Sequence, residues 1–345
     1  MKKILSIIPG IVLSLGIAII AKLLETFENA NGLHIIGASV IALFIGMIIN
    51  SFYKPNDITS PGIKFTSKKL LKFAIILLGA SLNIRTVLTV GRFSLTVMIF
   101  TLATCFGLGA VIGKALGLNW KTSSLINAGT GICGGSAIAA IAPVIEADDT
   151  DIAYGMSATF LFDTIMIVIF PLLGHYMNQS DAAFGLWAGT AVNDTSSVVA
   201  TGYAFSEAAG DFATMVKLTR TLAIIPAVLA FAAINMHITK KQNSNSKEIK
   251  VNIRTIFPWF IVGFLMMSAL TSLGLLPNAI ISVLKDISKF IMVAALAAIG
   301  LNTNFKSLCR SGARPMLHGF IVSLLVVLVA IIVEYVIGIA PYGVM

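Results

Sequence analysis

The nine residues "AGTGICGGS", Ala128 to Ser136, hold four glycines inside a strongly apolar chain, and their effect on a helix decides the fold. A glycine in a helix interior costs roughly 0.5–1 kcal/mol relative to alanine. Gly129, Gly131, Gly134 and Gly135 therefore predict an unwound or sharply bent centre for "TSSLINAGTGICGGSAIAAIAPVIEA". Unwinding frees backbone N–H and C=O groups, which are tolerated at membrane depth only where they face protein or a water-filled cavity. The competing reading is close helix packing, because Gly131 and Gly135 form a GxxxG spacing. Asn127, Thr130 and Ser136 favour the break, since a pure packing face has no need of polar groups.

The surroundings are a bilayer protein. Of 345 residues 57% are hydrophobic and 11% charged, and the mean hydropathy is +0.94, whereas soluble domains carry about 25% charged residues. A span needs roughly 20 apolar residues. Eleven candidate segments lie near 4–24, 33–50, 69–84, 92–113, 122–145, 151–175, 182–205, 211–238, 255–275, 279–303 and 314–339. The first resembles a secretory signal, but it lacks a small-residue cleavage site and more spans follow, so it reads as a retained helix. Cys105, Cys133 and Cys309 are odd in number and sit in or beside apolar segments, which argues against a disulfide framework and against a metal site. The net charge of +9 is spread over loops without a basic stripe of interleaved aromatics, which argues against nucleic acid.

That charge instead gives orientation. One set of alternating loops carries Lys54, Lys64, Lys68, Lys69 and Lys72, then Lys114 and Lys121, then Lys240, Lys241, Lys247, Lys250 and Arg254, then Lys306, Arg310 and Arg314. The other set carries Glu25, Glu28, Glu146, Asp148, Asp149, Asp151, Glu207 and Asp211, with Arg85 and Arg92 as dissenters. The positive-inside rule then predicts a cytoplasmic N-terminus and, with an odd number of spans, an external C-terminus. The chain reads as one membrane domain over 1–345, with 239–254 a solvated cytoplasmic loop.

Several polar residues sit deep in the apolar segments. "AFGLWAGTAVNDTSSVVATGYAFS" places Asn193 and Asp194 between apolar flanks, as an interrupted span or as a re-entrant or surface loop. An ionised acid at the bilayer centre costs roughly 2.5–3.5 kcal/mol on translocon scales. Asp163 lies midway through the segment before it. Lys217 and Arg220, three residues apart, share one helical face, with snorkelling to the interface the alternative for each. His34, His175, His237, His318 and Glu334 read as interfacial. Two internal similarities stand out: "AGTGICGGS" with "AGTAVNDTS" from Ala188, which would share one orientation, and "KFAIILLGASLN" from Lys72 with "KFIMVAALAAIGLN" from Lys289, which would be inverted.

Both signs of buried charge, together with a helix end that offers N–H donors, favour an anionic cargo. The expected contacts are Asn127, Gly129, Thr130, Gly131, Cys133, Gly134, Ser136, Asn193, Lys217 and Arg220. Asp163 and Asp194 would act as counter-ions or coupling groups, Asp163 by preference as the counter-ion.

"NAGTGICGGSA", "AGTAVNDTSSVVATG" and "VKLTRT" resemble the signature regions of the YeiH-like family of bacterial membrane proteins, often labelled sulfate exporters. The resemblance covers nearly the whole chain. It implies kinship with cation/proton antiporters and anion transporters, with inverted repeats and broken helices. It also implies that Asn127, Gly129, Thr130, Cys133 and Gly134 lie at a helix break and that Lys217 and Arg220 match the Lys-x-x-Arg element. Where many members have His-Glu, this chain has Asn193 and Asp194, which puts a histidine proton relay in doubt.

The expectation is an all-α polytopic transporter of the bacterial inner membrane that moves a small anion, sulfate or an organosulfonate, by alternating access. The alternative is a Na⁺/H⁺-type cation antiporter using the two aspartates. No nucleophile with its base, metal cluster or cofactor motif points to an enzyme, so neither metal nor cofactor is expected. The expected partners are the anion, a coupling proton or sodium ion and the lipid bilayer; a homodimer is compatible with that class.

Overall fold

The computed structural model describes residues 6–30, 38–52, 55–242, 257–302 and 312–338. Lys54, Lys247, Lys250, Arg254, Lys306, Arg310, His34 and Cys309 lie outside the described residues, as do most of the 239–254 loop and the side chains of Glu28, Asp149, Lys240 and Lys241. Among the described residues every regular element is helical.

Among the described residues, five helical runs are long and apolar enough to cross a membrane: Ile8–Phe27, Ile84–Ala115, Thr150–Tyr176, Glu207–Ile238 and Ala313–Val336. Their lipid-facing character shows in exposed side chains such as Leu23, Ile99, Val111 and Ile332. In chain order the elements begin with α1 (Ile8–Ala30), α2 (Ala38–Phe52), α3 (Ser60–Phe65) and α4 (Leu71–Leu78). They continue with α5 (Ile84–Ala103), α6 (Gly109–Ala115), α7 (Trp120–Ala128), α8 (Gly135–Ile141) and α9 (Asp149–Tyr176). The second half holds α10 (Asp181–Ala191), α11 (Thr195–Phe205), α12 (Glu207–Thr221) and α13 (Ile224–Gln242), then α14 (Trp259–Ser272), α15 (Asn278–Asn302) and α16 (Ala313–Val336). Single π-helical turns join α3 to α4, α5 to α6 and α7 to α8.

The glycine-rich stretch is a break of a specific kind. After the π turn Gly129–Cys133 the backbone reaches Gly134 at φ 61°, ψ −134°, where a side chain would be strained, and α8 then doubles back. The two arms pack together, since a Cβ on Gly129 would lie 2.9 Å from Ile138 Cδ1. Their outer ends also meet: Lys121 Nζ donates to Glu146 O at 2.5 Å, and the Thr122 hydroxyl donates to the Asp151 carboxylate. Residues 120–141 are therefore a re-entrant hairpin that leaves on the face by which it entered, which we call face A.

The second polar segment behaves likewise. Ser206 Oγ donates to Asp181 Oδ1 at 2.5 Å, and the rings of Phe184 and Phe205 stack with centroids 4.1 Å apart. Residues 181–205 thus form a second hairpin with its tip at Val192–Asp194. Helix α9 separates the two. Its 28 residues span about 42 Å at 1.5 Å per residue, enough to cross a bilayer. The first hairpin joins its start and the second its end, so the hairpins enter from opposite faces, A and B.

These hairpins correct three expectations. Segments 122–145 and 182–205 are not crossings, so they drop out of the eleven expected spans. Glu146, Asp148, Asp149 and Asp151 share face A with Lys114 and Lys121 instead of opposing them, because the first hairpin returns the chain to its own side. The "AGT" segments face each other from opposite sides instead of sharing one orientation.

Around the hairpins, α5, α9, α12 and α16 supply the walls, while α1 to α4, α14 and α15 form a neighbouring group. Glycines set the closest approach there. A Cβ on Gly46 of α2 would lie 2.4 Å from Ala297 O, and one on Gly300 of α15 would lie 2.2 Å from Leu43 O, whereas one on Gly16 of α1 meets nothing within 4 Å. Gly300→Ala is accordingly expected to lower the melting temperature of the detergent-purified protein. Gly16→Ala should leave it unchanged or raise it by the helix-interior gain of roughly 0.5–1 kcal/mol; equal shifts in the two variants would contradict this packing.

Candidate functional site

A hairpin in apolar surroundings has a problem at its tip. The last carbonyls of its entering arm have no partners within the helix, and no water in the hydrocarbon to take their place. Here α12 solves it for both hairpins at once. Lys217, fully buried, donates from Nζ to Ile132 O at 3.0 Å in the first tip and to Val192 O at 2.9 Å in the second. Arg220, also fully buried, donates from Nε to Gly131 O at 2.7 Å, and its two terminal nitrogens donate to Thr130 O and Thr190 O. The three-residue spacing puts both cations on one face of α12, and the positive charges sit where the helix dipoles are negative.

The opposite pole is held by an acid. Asp163, near the middle of α9 and 1% exposed, accepts from the backbone N–H of Asn193 at 2.9 Å and of Asp194 at 3.0 Å. Asp194 caps α11 by accepting from Ser196 N at 2.9 Å, and its carboxylate also takes the Ser196 hydroxyl. No carboxylate of the described residues lies within 4.0 Å of Lys217 or Arg220. Asp163 makes no direct ion pair with either cation and commits its two carboxylate oxygens to the backbone amides of the second tip.

The two tips touch. A Cβ added to Gly134 would lie 2.8 Å from Asp194 Cβ and 3.1 Å from its Oδ1, so only glycine permits this approach. Thr130 and Asn193, both fully buried, line the junction. Thr130 Oγ1 and both amide atoms of Asn193 have no hydrogen-bond partner among the described residues. Asp194, Thr195 and Ser196 beside it are half-buried.

The other expected site residues distribute as follows. Gly131 packs on Cys105, Gly129 on Thr159 and Ile138, and Cys133 is buried in the tip. Asn127 points away from the junction: its Oδ1 lies 3.0 Å from His318 Nε2, and its Nδ2 lies 3.5 Å from Ser123 Oγ. Ser136 is exposed on α8 and so does not join the buried junction. Asn127 is turned by its place on the α16 side of α7, and Ser136 by the reversal at Gly134.

Two residues read as interfacial are buried. His318 meets Ser123 and Asn127 in a polar cluster between α7 and α16, and Glu334 takes the Thr190 hydroxyl at 3.4 Å. His175 and His237 are exposed. Lys72, counted above among loop charges, lies within α4 and stands over the Phe260 ring, 5.3 Å from its centroid.

Long apolar helices around two facing re-entrant hairpins, with buried charge at their junction, define a multi-pass helical membrane protein. The comparisons agree. The family described as Conserved hypothetical protein 698 matches residues 9–319, and the chain belongs to it. A UPF0324 membrane protein of Clostridium tetani is 54% identical over 329 residues, 93% of this chain and 95% of the relative. One from Streptococcus mutans is 43% identical over 313 residues, 88% and 91% of the two chains. UPF0324 membrane protein FN0533 of Fusobacterium nucleatum is 41% identical over 325 residues, 88% and 92% of the two.

The guanidinium fork makes a direct prediction. Arg220→Met abandons three buried carbonyls at roughly 1–3 kcal/mol each, and Arg220→Lys cannot reproduce the planar fork. Both variants should lower the melting temperature in detergent, Met more than Lys. A melting temperature like that of the wild type in Arg220→Met would refute the fork as the fastening of the hairpins.

Proposed function

We propose that the protein is a secondary transporter carrying a small anion, sulfate or an organosulfonate, across the bacterial inner membrane, with the cargo bound at the junction of the two hairpin tips. The observation that carries this reading is the pair of buried groups there with no partner among the described residues, the Thr130 hydroxyl and the Asn193 side-chain amide, beside two cations that no carboxylate of the described residues pairs with. A buried polar group left unmade costs roughly 1–3 kcal/mol, a cost that a ligand's hydrogen bonds would remove. Thr130 and the Asn193 amide offer neutral donors, Lys217 and Arg220 supply long-range positive potential, and Asp194 is the acid placed to respond to the cargo or to a coupling proton.

Counting the hairpins as half-crossings leaves nine full spans, still odd. The Lys- and Arg-rich face A is then cytoplasmic, with the N-terminus inside and the C-terminus outside. The opposed hairpins, and the antiparallel segments beginning at Lys72 and Lys289, support an inverted repeat and alternating access around a fixed site. In this reading the chain is not an enzyme and its work needs no cofactor.

A second reading has its own observation. Asp194 is half-buried against Gly134 with Asp163 one residue layer behind it, an arrangement that suits a Na⁺/H⁺-type cation antiporter.

Reconstituted protein separates the two. Under the anion reading, sulfate, sulfite or isethionate evokes transport currents on solid-supported membranes. Thr130→Val and Asn193→Ala then cut the response roughly tenfold or more, the worth of one hydrogen bond to a charged ligand, at unchanged expression and melting temperature. Sodium-driven pH change without any added anion, and no anion response, would replace this reading with the second.

A further inference from the structure

Glu334 is a buried acid that the junction does not use. It lies in α16 at 3% exposure. Its neighbours Ala330, Ile331, Val333 and Ile337 pack in one apolar cluster with Phe170 of α9 and Trp187 of α10. Its one polar contact among the described residues is Thr190 Oγ1, at 3.4 Å. A hydroxyl has a single proton to donate, and Leu186 O at 2.7 Å and Trp187 O at 3.2 Å compete for it. The carboxyl is left with the poorest share of one neutral donor.

No lysine, arginine or histidine of the described residues lies within 4.0 Å of it. On the helices packed against α16, Arg85 and Arg92 of α5, His175 and Tyr176 of α9 and Asp181 of α10 are exposed. Asp163 has both oxygens on the amides of the second tip. Lys114, Lys121, Asp151 and Tyr154 stand on segments that meet the start of α16, around His318 and Arg314. Of the buried thiols, Cys105 packs on Val322 and Val326, about two turns or more before Glu334, and Cys133 lies in the first tip. An ionised carboxylate so placed is costly. A protonated one fits, donating to Thr190 Oγ1 while Thr190 keeps its own bond to Leu186 O.

Thr190 is also where the tips are fastened. Its carbonyl accepts from Arg220, whose other nitrogens hold Thr130 O and Gly131 O, and two residues later Val192 O accepts from Lys217. Glu334, Thr190, Arg220 and Thr130 thus form an unbroken chain of contacts from α16 to the hydroxyl that has no partner among the described residues. Ionising Glu334 would make it the strongest acceptor beside Thr190. The hydroxyl then turns from Leu186 O to the carboxylate, and the end of α10 that carries both cation-bound carbonyls changes shape.

We propose that Glu334 is the transporter's proton-binding site, protonated in this conformation and linked through Thr190 to the fastening of the tips, so that proton and anion bind together. The proton is taken from water on the side where the anion binds and returned to water where the anion leaves. The inference deepens the anion reading above and rests on it, giving the coupling proton to Glu334 and leaving Asp194 to the cargo.

The test follows sulfate uptake into proteoliposomes across the neutral pH range. Because linked binding is reciprocal, the wild-type apparent KM should rise with pH, approaching about tenfold per pH unit for one linked proton. Glu334→Gln keeps the shape of the protonated acid and should hold the low-pH KM throughout. Thr190→Val leaves the carboxyl in place but removes its link to α10, and should flatten the slope as well, so a Glu334→Gln protein that fails to fold does not end the test. A wild-type KM independent of pH, or a wild-type slope kept in either variant, would overturn the inference while leaving the anion reading intact. A wild-type protein that moves neither sulfate, sulfite nor isethionate at any pH would overturn the anion reading and this inference together.

Discussion

The fold turns on the backbone carbonyls at the ends of two half-helices that stop inside a bilayer. Water cannot reach them freely and no helical turn follows to accept from. Lys217 and Arg220 close five of them from a single face of α12, joining the tips of two hairpins that come from opposite sides. A neutral donor could satisfy one such oxygen, but a fixed cation also balances the negative end of each helix dipole. Burial of a lysine and an arginine at full depth, costly in isolation, is therefore stable here.

Once those two side chains are committed to carbonyls, the rest of the junction follows. The carboxylates are not drawn into ion pairs, so Asp163 is free to hold the amides of Asn193 and Asp194, and Asp194 to cap α11. Glycine at position 134 lets the two tips touch, because any Cβ would collide with Asp194. What is left over at the junction is small and specific: one hydroxyl and one carboxamide with no hydrogen-bond partner among the described residues.

Much of this was legible in the chain. The expense of Asp163, Lys217 and Arg220 in oil, and of four glycines in one apolar segment, marked the buried centre and the break. What the sequence hid has a common cause. A hairpin of two short arms and a crossing helix use about the same number of apolar residues, so hydropathy cannot say whether the chain emerges on the far face or returns. Only long-range bonds such as Lys121 to Glu146 and Ser206 to Asp181 decide it. His318 and Glu334 were misread because nearness to a span end was taken as nearness to water, while in the fold both are covered by a neighbouring hairpin. Lys72 was counted with the loop lysines although it opens the apolar run of the 69–84 segment, because a cation in the first turn of a span reads as flanking charge.

The order in which the ribosome delivers these parts has a consequence for assembly. The first hairpin emerges well before the cations that complete it, with 85 residues separating Ile132 from Lys217 and 90 separating Thr130 from Arg220. At 5–20 residues per second that interval is on the order of 4–18 s. During it the tip carbonyls must stay near water or be shielded by a chaperone or the insertion machinery. Hairpin one is thus an unfinished element at synthesis, sealed into the membrane only when α12 arrives, and the second hairpin is sealed by the same event.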